Sequence, residues 1–389
     1  MIAIAKTLWE ATPKPVQDVV AVAVDHLQGV KIPESPTVKR TPVRLFIAPA
    51  NYAGQGFRWA RAVESNPKIS ARNMVYTEMN PFGYDADFPV RWRTVTHSHR
   101  WQRAQLRALT EEFTHVLIEA EFPPLGGMFA QDVRRQVKAL QEGGTRVAMV
   151  CHGSDIRLPS RHRALEAWSP FRDDSWVNVR EVEEMAAGHR RLLDDLALPT
   201  FVSTPGLLLD VPFAQLLPVV IEVERWASAS QVLHRSRPRV LHVPSNSLVK
   251  GTAEIEPILH RLHDQGWIEY VRAEKLSQDS MPAAYAQTDI VLDQFRLGDY
   301  GVGACEAMAA GRLVISHVSD QARSLVAKSA GLRLPILEAN IDSLEGVLRN
   351  IIADRQRGRA LAEEGPGFVA RFHNGDLARA VLEQNFLQC

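Results

Sequence analysis

The chain has 389 residues, 45 Lys and Arg against 45 Asp and Glu, and a hydrophobic fraction of 46%. At roughly 100–200 residues per domain this length supplies two buried cores, and a formal charge of zero provides no overall field to draw in nucleic acid. Three cysteines (Cys151, Cys305 and Cys389) without C-x-x-C spacing exclude a disulfide framework and a cysteine-based zinc site.

The N-terminal stretch carries Lys6 and Glu10 where a signal peptide needs apolar residues, and no run approaches the roughly 18–20 apolar residues of a membrane span. A cytoplasmic protein is expected. Arg100, Arg103, Arg107, Arg134, Arg135, Arg161, Arg163, Arg190 and Arg191 leave room for peripheral contact with anionic lipid at the inner face of the membrane. A solvated surface offset by nearby acids is the plainer account of them.

Apolar, β-branched runs at 43–49, 115–121 and 145–151 read as buried parallel strands, with helical patterns at 56–66, 99–112 and 130–142 between them. A helix over 180–197 and short strands over 199–206 and 216–223 follow. Residues 224–238 break the rhythm and mark a linker between a first domain, 1–223, and a second, 239–365. The second domain restarts the alternation: strand 239–245, helix 252–265, strand 268–273, helix 281–287, strand 289–293, helix 302–311 and strand 312–318. Helices over 342–363 and 376–387 close the chain, and 366–389 is expected to pack back on the first domain. The fold class is α/β, two Rossmann-like doubly wound domains facing across a cleft, with ligands at the carboxyl ends of the strands.

The densest chemical signal is LDQFRLGDYGVGACEAMAAGRLVI at 292–315. A strand ends near Asp293, a loop follows through Gly298, Asp299, Tyr300, Gly301, Val302 and Gly303, and a helix opens near Val302. Glycines let backbone N–H groups approach a phosphate, and the helix N-terminus adds partial positive charge. Glu306, expected in the first turn, has the chemistry to hold a ribose diol; a helix with an N-terminal acid is the plainer account. Upstream, VLHVPSNSLVKGT at 240–252 runs from a strand into Ser245 and Asn246, then Lys250, Gly251 and Thr252. An ammonium there is a counter-charge for a pyrophosphate, whereas an isolated K-G-T is usually a surface lysine before an N-cap Thr252.

In this order, HVPSN-x-x-x-KGT, Tyr285 with TDIVLDQ, and YGVGACEAMAAGRLVI make residues 239–317 similar to the donor-binding half of retaining, family 4-like glycosyltransferases of the GT-B fold. The resemblance implies Lys250 on a donor diphosphate, Glu306 on the ribose and a UDP- or GDP-type sugar as co-substrate, with no separate cofactor. It implies transfer of a hexose with retention and without metal to an unidentified acceptor: a glycan, a lipid-linked molecule or a small molecule. Two positions depart from the pattern. The family's second glutamate, eight residues before Glu306, is Gly298 here, and its arginine, six before Lys250, is Pro244. Asp293, Arg296, Asp299 and Ser245 are the candidates to rebuild these contacts.

IAPANYAGQGFRWARAVE at 47–64 resembles the family's glycine loop, with Gly54 and Gly56 near donor phosphates. Trp59 in the third glycine position spoils a dinucleotide fingerprint. VCHGSDIR at 150–157 resembles the active-site histidine loop, with His152 and Asp155 facing the sugar. Asp85-Ala86-Asp87, His97-Ser98-His99 and His260/His263 have spacings compatible with metal, but surface or structural roles are expected for all three, and no metal site is assigned. Cys305 is not expected to act as a nucleophile. A nucleotide-sugar epimerase of the same fold and a non-catalytic nucleotide-sugar-binding module are the rival readings; a dehydrogenase is disfavoured by Trp59.

Overall fold

The computed structural model describes residues 12–27, 31–172, 174–273 and 276–388. The chain forms two compact units, one of Met1–Val150 with Leu196–Pro199 and Phe386–Cys389, the other of Cys151–Asp195 with Thr200–Asn385.

The first unit contains α1 (Lys14–Leu27), β1 (Val43–Ala48), α2 (Gln55–Val63), β2 (Ile69–Tyr76), β3 (Phe88–Val90), α3 (Trp92–His97), α4 (His99–Glu111), β4 (His115–Glu119), α5 (Val133–Glu142) and β5 (Arg146–Cys151). Strands β3-β2-β1-β4-β5 lie side by side and are parallel. All five residues of β4 are buried, and so are five of six in β1 and in β5, as expected when both faces of a parallel sheet are covered by helices. Strand β2 was not expected from the sequence. Its Ser70, Arg72 and Asn73 interrupt the apolar run, and their partners come from elsewhere. Asn73 exchanges two 2.9 Å hydrogen bonds with Asp87, and Arg72 pairs with Glu64. The chain terminus belongs to this unit, where Phe386 meets the His115 ring edge-on at 5.0 Å.

The second unit holds α6 (Pro159–Leu165), most of α7 (Val179–Leu196), β6 (Thr200–Val202), β7 (Gln215–Leu216), α8 (Val223–Trp226), β8 (Arg239–His242), α9 (Ser247–Lys250), α10 (Thr252–Asp264), β9 (Glu269–Arg272), α11 (Met281–Ala286), β10 (Ile290–Leu292), α12 (Val302–Ala309), β11 (Leu313–Ser316), α13 (Asp320–Ala330), β12 (Ile336–Glu338), α14 (Leu344–Ala353), α15 (Arg355–Phe372) and α16 (Asp376–Asn385). Its five-stranded sheet has the order β12-β11-β10-β8-β9, parallel throughout. Val240, Ile290, Leu313 and Ile315 of the sheet pack with Ile255, Leu259, Leu344 and Leu348 of the helices. From β8 the chain winds outward to β9, then crosses to the other side of β8 for β10. The order therefore reverses between β8 and β10. Loops leaving adjacent strands in opposite directions open a crevice at their carboxyl ends, where ligands of such sheets bind.

The expected strand at 216–223 shrinks to Gln215–Leu216. Pro218 lacks a ladder donor, and the following apolar residues are buried through His373 instead: its Nδ1 donates to Val219 O, and its carbonyl accepts from Ile221 N. Among the described residues, no helix is long and apolar enough to cross a membrane.

Asp289 ties the entrance of this sheet together. It is fully buried and accepts from the backbone N–H of Leu233 at 2.7 Å and of Arg239 at 2.8 Å, and from Arg235 at 3.0 Å. Removing it would leave buried donors and a cation without their acceptor. We expect Asp289→Ala to lower unfolding free energy by about 2–4 kcal/mol, measured as a drop in the urea midpoint at unchanged slope. A loss below about 0.5 kcal/mol, the scale of an ordinary surface substitution, would show that the segment is held by other contacts.

Candidate functional site

The loop after β8 turns through exposed Ser245 and Asn246. Asn246, not Thr252, is a side-chain cap here: its Oδ1 accepts from Leu248 N and Val249 N at the start of the single turn α9. Gly251 then takes a left-handed φ of 75°, and a Cβ on it would lie 3.2 Å from Arg296 Cγ. Thr252 is the first residue of α10, and its hydroxyl bonds His242 Nε2 at 2.9 Å, while His242 Nδ1 donates to Leu292 O at 3.0 Å. Burial pushes the His242 pKa down to about 4. A neutral imidazole thus braces β8, β10 and α10 beneath the crevice.

This brace points Lys250 inward. Its Nζ lies 2.6 Å from Asp293 Oδ1, with the lysine side chain 16% and the aspartate 4% exposed. Asp293 Oδ2 accepts no hydrogen bond among the described residues. Gly303 closes the group. A Cβ there would sit 3.5 Å from Asp293 Oδ1 and 3.8 Å from both Lys250 Nζ and Tyr285 Oη, and Tyr285 Oη donates to Gly303 O at 3.4 Å. The structure therefore brings Lys250, Asp293, Tyr285 and Gly303 together at the switch point.

Gly301 is the N-cap of α12, in extended backbone, with no side-chain cap and nothing within 4 Å of where its Cβ would stand. The first-turn N–H groups of an uncapped helix lack intrahelical partners and face outward with partial positive charge. Gly301, Val302 and Gly303 are half-buried. Glu306 stands in the second turn rather than the first, and is buried. Cys305 is buried beside Asp293, Glu306 and Asp299, and burial first and these acids next push its thiol pKa well up. It remains a protonated thiol.

Upstream of this turn, Tyr300 points into the core and bonds His373 Nε2 at 3.3 Å. Asp299 Oδ2 accepts from Gly206 N at 2.9 Å and lies 3.7 Å from Arg157, and its Oδ1 accepts from Tyr300 N. Arg296 is 7% exposed and donates to the carbonyls of Trp168, Leu248 and Ser169, with Glu254 at 3.3 Å. Asp299 and Arg296 tie these loops in place.

Gly298 has a left-handed φ of 64°, and a Cβ on it would fall 2.1 Å from Glu166 Oε1. The space where a side chain at 298 would begin is taken by a carboxylate from the segment after α6. Glu166 Oε2 bonds His317 Nε2 at 2.7 Å, and His317 Nδ1 bonds Glu338 Oε1 at 2.7 Å. Burial alone would lower the His317 pKa, but hydrogen bonds to Glu166 and then Glu338 outweigh it and raise it to about 9. An imidazolium thus holds the Glu166 side chain in place at the edge of the loop. Glu166 and His317 carry no local motif in the sequence, lying 132 and 19 residues from Gly298.

The remaining candidates are engaged in local structure. Asp155 accepts from His152 N at 2.8 Å and from Gly153 N, so its carboxylate shapes the loop after β5; His152 is half-buried. In the first unit, Gly54 caps α2 with φ 73° against Tyr84. A Cβ at Gly56 would lie 3.1 Å from Glu119 Oε1. Glu119 Oε2 accepts from Ala50 N and Asn51 N, so a carboxylate lies beside this loop. Asp87 binds Arg61 and Asn73, His97 and His99 both reach Asp18, and His263 accepts from Tyr270 N.

Gly298→Ala has a readable consequence. The added methyl group displaces Glu166, so the His317 titration followed by NMR should fall from about 9 toward its ordinary 6.5. A raised pKa contributes stability that is full below about pH 6.5 and lost as pH rises through about 9. Wild type should therefore lose stability across that window and Gly298→Ala should lose less. An unchanged His317 titration in the variant would contradict the placement of Glu166.

No protein-family model and no curated protein matches the sequence. Solved structures do. Sucrose-phosphate synthase from Thermosynechococcus elongatus is 14% identical, with a TM-score of 0.58 over 89% of this chain and 98% of that one. The catalytic domain of starch synthase IV from Arabidopsis thaliana, bound to ADP and acarbose, is 11% identical, with a TM-score of 0.52 over 88% and 98%. Anabaena HepE in complex with UDP and glucose is 12% identical, with a TM-score of 0.53 over 88% and 98%. The chain has the GT-B fold of these glycosyltransferases.

Proposed function

We propose that the protein is a retaining, metal-independent glycosyltransferase that moves a hexose from a nucleoside-diphosphate sugar to an acceptor. One observation carries this reading: Lys250 and the uncapped first turn of α12 converge at the switch point of a parallel sheet. That pairing of a cation with aligned backbone donors suits a diphosphate. The complexes of HepE with UDP and glucose and of starch synthase IV with ADP support the choice of ligand.

In this reading the diphosphate meets the N–H groups of Val302 and Gly303, and Lys250 turns part of its charge from Asp293 to the phosphate. Glu306 accepts from the ribose hydroxyls. Glu166, held by His317, accepts from hydroxyls of the sugar, standing in for the side chain that position 298 lacks. The bond from the anomeric carbon to the diphosphate oxygen breaks, with the electron pair going to the diphosphate. The acceptor hydroxyl bonds the carbon on the same face and gives its proton to the departing oxygen. Charge grows on the diphosphate during this step, so Lys250 contributes more to the transition state than to the ground state.

Lys250→Ala should lower donor turnover by about 2–4 kcal/mol of barrier while weakening donor binding less. Glu306→Gln should weaken both together, because the ribose does not change in the reaction. Calorimetry with UDP and GDP, beside donor hydrolysis in the presence and absence of EDTA, reads all of these. Stabilisation by NAD alone, or activity lost to EDTA and restored by manganese, would overturn the proposal. So would donor binding without any turnover.

A further inference from the structure

Helix α1 carries its apolar residues outward. Val16, Val19, Val20, Ala23 and Leu27 stand at i, i+3, i+4, i+7 and i+11 and form one stripe about 100° wide. Val19 is 70% and Leu27 84% exposed; Val16, Val20 and Ala23 are exposed as well. The inner face holds Ala21 and Asp18, both buried. Asp18 fastens the helix to the junction of α3 and α4, with Oδ1 2.7 Å from His97 Nδ1 and Oδ2 3.0 Å from His99 Nε2. A soluble helix normally buries its apolar stripe and exposes its acids. Here the arrangement is reversed, and the contacts from Asp18 to His97 and His99 hold it that way.

Cations lie beside the helix on one side of the stripe. Arg103 lines a depression with Asp18 and His99, and Arg100 lines another with His26 and Lys31 at the far end of the helix. Arg100, Arg103 and Lys31 are exposed and form no ion pair among the described residues. Glu34 is the acid in that second depression. An exposed apolar stripe with unpaired cations to one side of it has the two attractions that hold a helix in a lipid interface: burial of apolar side chains and charge opposite to anionic headgroups.

We propose that α1, with Arg100, Arg103 and Lys31, is a docking face for an anionic lipid bilayer. The helix lies in the interface plane, with the valines and Leu27 among the acyl chains and the cations at the headgroups. This stands apart from the nucleotide reading and does not depend on it.

Flotation of the full chain with phosphatidylglycerol-containing vesicles and with pure phosphatidylcholine vesicles tests it. The protein should float with the anionic vesicles, and salt should weaken the interaction by screening the headgroup charge. Val19→Asp with Leu27→Asp should reduce binding at least tenfold. Arg100→Glu with Arg103→Glu should reduce it by about fivefold per charge removed and flatten the salt dependence. Melting temperatures close to wild type would exclude unfolding of these surface variants. Failure of wild type to float, or equal flotation of all variants, would overturn the proposal. So would a dimer that Val19→Asp dissolves while vesicles are ignored, which would assign the stripe to a second copy.

Discussion

A lysine ammonium and a buried carboxylate meet at the point where β8 and β10 end and α12 begins, and the rest of the second unit is arranged around that pair. Lys250 and Asp293 are mostly withdrawn from water, and desolvation of two charges is repaid only where the geometry is good. Here the pair lies at hydrogen-bond distance, yet one carboxylate oxygen remains without a donor. Such a pair holds a cation ready beside helix N–H groups without leaving it bare in the absence of ligand. Gly303 is small enough to let Lys250, Asp293 and Tyr285 close on one another, and neutral His242 fixes the strands below them.

The second constraint is the replacement of a local side chain by a distant one. Gly298 is needed both for its left-handed backbone and because Glu166 fills the space beside it. His317 and Glu338 complete the chain of charges, and Arg323 holds Glu338 at 3.0 Å. A carboxylate whose position depends on a half-buried imidazolium is better ordered than one on a flexible loop. The arrangement shifts chemistry that a local motif would carry onto residues far apart in the chain.

The sequence revealed the second unit far better than the details of its site. Uninterrupted β-branched runs, such as Ile290–Leu292 and Leu313–Ser316, announce buried parallel strands because both faces are covered. The glycines after β10, the N-terminus of α12 and Lys250 could also be read locally. Strand β2 could not, because its polar residues make sense only with Asp87 and Glu64 in place. Nor could the partners of Arg296 and Asp299, which are backbone groups and the charged side chains of Glu254 and Arg157 in the same unit. Glu166 was hidden because its place, filling the space beside Gly298 and bonded to His317, depends on residues far from it in the chain.

The most direct measurement is backbone amide hydrogen exchange with and without UDP. If the diphosphate sits where Lys250 and α12 converge, the amides of Val302 and Gly303 should be protected on adding UDP. Protection confined to the Gly54–Gly56 loop, with α12 unchanged, would contradict the account.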